Sequence, residues 1–151
     1  MITELYNRLT EVLRSVTDDE GRSLINHIDL WNQNVEFIEE DEAWARPAVF
    51  VEFGEILWEP LKGPALMMRG RGEVLLHVVT DWKGSVADGS GSRNESLEDY
   101  TLPELIHDKV ARIEGSSFRN VHLSRTIINH NHQELLENIE VYSVTYQRTL
   151  C

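Results

Sequence analysis

Residues 66–82 read LMMRGRGEVLLHVVTDW. On an extended chain Val74, Leu76 and Val78 fall on one side, and Glu73, Leu75, His77 and Val79 on the other. The β-branched residues gathered in its second half favour that geometry over a helix. Both sides are largely apolar around His77. Such a strand belongs in the centre of a sheet with both faces covered, so the rest of the chain has to supply its neighbours.

Upstream, PAVFVEFGEILW at 47–58 is the clearest second strand, with β-branched and aromatic residues from 49 to 53. Gly54 permits a bend or bulge before Ile56. Downstream, FRNVHLSRTIIN at 118–129 alternates imperfectly. IEVYSVTYQRTL at 139–150 alternates well, with Tyr142, Val144 and Tyr146 opposing Val141, Ser143 and Thr145. Between these two, HNHQELLEN at 130–138 reads as a connection in which Glu134, Leu135 and Leu136 form a turn of helix.

Two helices complete the pattern. Ile2, Leu5, Leu9, Val12, Leu13 and Val16 recur at three- and four-residue steps, and Gly21 breaks the run. TLPELIHDKVARIEG at 101–115 starts at an N-cap threonine, carries Pro103 and Glu104 in its first turn and ends at Gly115. Its apolar stripe is Leu102, Leu105, Ile106, Val110 and Ile113. NHIDLWN at 26–32 is compatible with a strand, and 33–45 with a short helix or loop carrying the acidic run 39–42. The Gly-, Ser- and charge-rich stretch 83–98 has almost nothing to bury and reads as a mobile polar loop. Helix, strands, helix, strands, with no internal repeat and no regular βαβ alternation, predicts one α+β domain over 1–151. Its sheet is expected to be mostly antiparallel, with the N-terminal helix and the second helix packed on one face.

The totals narrow the function. With 41% hydrophobic and 26% charged residues in 151, the chain has the composition of a folded domain that needs no disulfide or metal. Its single cysteine, Cys151, has no intrachain partner. The charged amino terminus is not a signal peptide, and no apolar run is long enough for a membrane helix, so a soluble protein made in the cytoplasm is expected. A formal charge of −12 repels phosphate backbones and argues against specific nucleic-acid binding. It is compatible with lining a channel along which DNA slides.

The chemistry-bearing letters fall short of a catalytic set. His130-Asn131-His132 lacks the ββα spacing of an HNH nuclease, and two same-side histidines are half of a zinc site that finds no third ligand at a suitable spacing. The serines lack a strand–elbow–helix, and the RGRGE stretch at 69–73 lacks a phosphate-loop lysine. No metal, cofactor or catalytic residue is therefore expected. Arg69 and Arg71 make a short basic stripe that pairs with acidic neighbours, within the chain or across a subunit boundary. Trp31, Trp44, Trp58 and Trp82 sit near strand ends, where tryptophan also serves as an interface anchor.

Taken in order, the N-terminal helix, the PAVFVEF strand, the strand ending LLHVVTD, the polar loop, the LPELIHDKVARIEG helix and the closing strand pair resemble phage tail-terminator and tail-completion proteins. More narrowly, the chain is similar to proteins of that type from prophages of gut anaerobes, which share the NHNHQEL-like segment before the final tyrosines. The resemblance runs through nearly the whole chain, on structural rather than catalytic motifs. It implies a small α+β protein forming a ring, commonly a hexamer, at the head-proximal end of a tail tube. There it stops tube growth and presents a surface to the head connector, passing from the host cytoplasm into the virion tail. The expected partners are further copies of the chain, the tail tube and head-connector proteins. The candidate interface residues are Trp58, Arg69, Arg71, Trp82, His130 and His132. The alternative reading is a small acidic module that mimics DNA charge and blocks a nucleic-acid enzyme.

Overall fold

The computed structural model describes residues 1–31, 45–61, 67–81, 89, 91, 100–129 and 135–149. Along them run α1 (Ile2–Arg14), β1 (His27–Leu30), β2 (Ala48–Pro60), β3 (Met67–Asp81), α2 (Leu102–Val110), β4 (Phe118–Asn129) and β5 (Leu135–Thr149). The loop expected over 83–98 lies outside the described residues except for Gly89 and Gly91.

The domain is α+β, with a five-stranded sheet in the order β1-β2-β3-β5-β4. The strand expected to be central is central. The sheet is mixed, however, and not mostly antiparallel in the sense expected from the strand pattern. β2, β3, β5 and β4 pair antiparallel in turn, but β1 lies parallel to β2, with His27 opposite Ala48 and Leu30 opposite Val51. The stretch between Leu30 and Ala48 is long enough for the crossover that a parallel pair requires.

Strand period assigns the faces. Val49, Val51, Val74, Leu76, Val78, Tyr142, Val144 and Tyr146 all turn to the side covered by Leu5, Leu9 and Leu13 of α1 and by Ile106 and Val110 of α2. Both helices thus cover one face, as the amphipathic spacings require. α2 stops at Val110, short of the expected end, and Leu105 stays exposed while Leu102, Ile106, Val110 and Ile113 are buried. β5 begins at Leu135, so the helical turn expected at 134–136 gives way to strand over Leu135 and Leu136, which are buried. Pairing decides this: β3 is long enough to hold β5 from Met67 opposite Thr149 to Asp81 opposite Leu135.

Two close approaches depend on glycine. β2 shifts register between Phe53 and Ile56, at the bend expected at Gly54, and this turns Ile56 and Trp58 onto the helix-covered face. A Cβ on Gly70 would lie 2.7 Å from Ile56 Cγ2 and 2.9 Å from Trp58 Cζ3, so the bare backbone of β3 makes room for both side chains. Gly115 does not cap α2. A Cβ there would collide with the Glu4 carboxylate and the Phe118 ring, because the α2–β4 link passes directly over the start of α1. Glu4 accepts hydrogen bonds from the Ser116 hydroxyl at 2.6 Å and the Ser117 N–H at 3.2 Å. Those bonds, the Ser116 hydroxyl foremost, hold the Glu4 carboxyl below its ordinary value.

Candidate interface on the open face of the sheet

The face away from the helices has two halves of different character. Near the β1 end it is closed. Trp31, just past β1, lies flat on the His77 imidazole with ring centroids 3.8 Å apart and planes 4° from parallel, and its edge meets Phe50 at 6.3 Å. His77 Nδ1 is 2.8 Å from Glu137 Oε2, and both side chains are buried. Asn129 Nδ2 donates to the other Glu137 oxygen at 2.7 Å. His77 Nε2 faces the Glu52 carboxylate at 3.6 Å, beyond hydrogen-bond length. All five strands reach this cluster, through Trp31 beside β1, Phe50 and Glu52 on β2, His77 on β3, Glu137 on β5 and Asn129 on β4. With the indole laid over the ring and a carboxylate near each nitrogen, the cluster is built to hold the strands together.

Toward the other end the same face opens into a groove of ≈ 1000 Å³. The bend at Gly54 that sends Ile56 and Trp58 to the core points Glu55, Leu57 and Glu59 the opposite way. Register then lines up Leu57, Arg71, Thr145 and Arg119 as one row across four strands, with Glu73, Ser143 and His122 in the next. Arg69 donates from Nε to Glu59 at 2.7 Å and from its terminal nitrogen to the same oxygen. That bond, with the charge of Arg69 behind it, holds the Glu59 carboxyl below its ordinary value. Arg125 grips Glu73 with both terminal nitrogens, at 3.0 and 3.3 Å. Arg71 reaches Glu59 only at 4.0 Å and is 72% exposed. Among the described residues no carboxylate pairs with Arg119. Leu57, 66% exposed, stands beside them.

The structure therefore brings Arg69 and Arg71 together in one groove and gives Arg69 an acidic partner inside its own chain. Trp58 lies on the opposite face, packed over Gly70 against the core. Trp82, His130 and His132 lie outside the described residues. Arg119 and His122 were not legible as site residues. They enter the groove because β4 slips register between Arg119 and His122, around Asn120 with its left-handed φ of 55°. An asparagine in a strand is only a weak signal of that bulge.

The outer edge of β4 adjoins the groove. Leu123, Ile127 and Ile128 on this strand are 37, 42 and 45% exposed. Among the described residues no strand pairs with that edge. Among them, too, no three His, Cys, Asp or Glu side chains converge as a metal-ligand set, and no helix is long and apolar enough to cross a membrane. The chain matches no model of a known protein family and no curated protein.

Proposed function

We propose that the protein is a structural, non-catalytic tail component of a phage or prophage, of the tail-terminator or tail-completion type, working as a ring of identical subunits. The observation that carries the reading is the pair of unlike sheet edges. β4 is an edge twelve residues long that exposes Leu123, Ile127 and Ile128, whereas β1 is an edge of four residues. An unpaired edge is a template for another chain, and an edge whose complement lies elsewhere on the subunit makes a head-to-tail contact. Head-to-tail contacts close into rings when the rotation per subunit divides a full turn.

On this reading the half-paired arginines of the groove meet carboxylates of the next subunit, and the hexamer is the expected closure. The net charge of −12 suits a lumen along which DNA slides without sticking. The partners are the tail tube and the head connector, and the protein moves from host cytoplasm to virion tail. Light scattering over a concentration series tests the proposal. A discrete ring-sized particle is expected, with each contact burying more than about 1,000 Å². A monomer at every concentration, with and without tail-tube protein, overturns it.

A further inference from the structure

The helix-covered face holds a second feature, separate from the groove, that shares only Leu123 and Ile128 with the exposed β4 edge. Where α2 ends its cover of the sheet, a cleft of ≈ 600 Å³ opens between α2 and the far end of β4. That volume lies in the range of about 300–1,000 Å³ typical of ligand sites. Leu123 and Ile128 form one wall, Tyr100 and His107 another, and Glu104 and Asp108 stand on the α2 side.

Two polar residues of β5 line this cleft where strand period calls for apolar ones. Asn138 and Glu140 share the face of Tyr142 and Val144 and are 2% and 4% exposed. Both amide atoms of Asn138, Oδ1 and Nδ2, are buried without a hydrogen-bond partner. Glu140 accepts one hydrogen bond, from Thr126 Oγ1 at 2.7 Å, and among the described residues no cation pairs with it. Among the described residues the one basic side chain of the lining is His107, whose Nδ1 is already 3.2 Å from the Tyr142 hydroxyl.

A buried amide with neither end satisfied and a buried carboxylate without a counter-ion are both costly, and a single occupant answers both. It must bring a cation with several N–H donors for Glu140 and Asn138 Oδ1, and a carbonyl for Asn138 Nδ2. An arginine residue has this combination: a planar guanidinium with five donors, a peptide carbonyl close by, and a flat face that stacks on rings such as those of Tyr100 and His107. We infer that the cleft between α2 and β4 is a recognition site for an arginine side chain of a protein, with Glu140 and Asn138 as its polar floor.

The test is a nitrogen-15 NMR titration of the full chain with N-acetyl-L-arginine amide. N-acetyl-L-citrulline amide, its uncharged isostere, is titrated at matched ionic strength. Saturable shifts at Asn138, Thr126 and Leu123 are expected for the arginine ligand, with citrulline weaker by at least about tenfold for the loss of one charge-assisted pair. Glu140→Gln, which keeps an acceptor for Thr126, should bring arginine down to the citrulline level. Equal binding of the two ligands, or shifts that never saturate, overturns the inference. This comparison needs only the wild-type chain, so it decides the matter even if Glu140→Gln fails to fold. With arginine binding established, diluting the free protein identifies the donor. Movement of the same resonances means an arginine of a second copy, and constancy means one from another polypeptide.

Discussion

The His77 imidazole and the Glu137 carboxylate, sixty residues apart in the chain, meet at 2.8 Å beneath the Trp31 indole. His77 is on the central strand and Glu137 on its neighbour β5, so the contact ties the middle of the sheet on the face opposite α1 and α2. Removing one partner takes one hydrogen bond from the other buried group. Glu137→Ala is expected to lower stability by about 3–5 kcal/mol, as for other broken buried pairs. Urea unfolding of Glu137→Ala, His77→Ala and the double variant checks this. The double variant should lose clearly less than the sum of the singles.

Gly115 predicts a steric effect. Gly115→Ala pushes a methyl group into the Glu4 carboxylate and the Phe118 ring, so a loss of about 1–3 kcal/mol is expected, the usual cost of overpacking. Gly91→Ala, whose added Cβ meets nothing within 4 Å among the described residues, should be close to neutral. Thermal or urea midpoints of the two variants, measured side by side, provide the comparison.

Glu4 gives an acid dependence whose sign follows from the lowered carboxyl. A group with a depressed folded-state pKa stabilises the fold above its unfolded value, here 4.5, and loses that contribution as pH falls through the folded value. Glu4→Gln should therefore destabilise the protein at neutral pH and flatten the decline of its stability below pH 4.5. Melting curves across that range make the test. An unchanged acid slope would mean that the Ser116 contact contributes nothing.

The groove arginines separate assembly from folding. Arg71 and Arg119 make few contacts within the subunit, so Arg71→Glu combined with Arg119→Glu should leave the thermal midpoint of the monomer almost unchanged. On the ring proposal the same change puts like charges together at each contact and raises the concentration needed for assembly by about tenfold or more. Sedimentation and melting of the same sample read the two effects apart.

Much of the fold is legible because period and burial are local. The strand of β3 shows its two faces in its own letters, β2 shows its bend at Gly54, and α1 shows its stripe of Leu5, Leu9 and Leu13. The candidate interface is legible only in part. Arg69 and Arg71 stand out as a stripe, but Arg119 joins them through a register slip of β4 that no alternation announces.

Residue order by itself determined the types of the main helices and strands, the central place of β3, the shared side of the two described helices and the acidic balance. Each depends on neighbours a few positions away or on a simple sum. Tertiary structure alone decided that β1 runs parallel to β2, that Leu135 and Leu136 extend β5 instead of turning, and that Gly115 clears Glu4. It alone brought His77 to Glu137 and left Asn138 unpartnered beside a cleft. The physical reason is common to all of these. They depend on strand register and on approach between distant segments, where a shift of one residue turns a side chain to the other face.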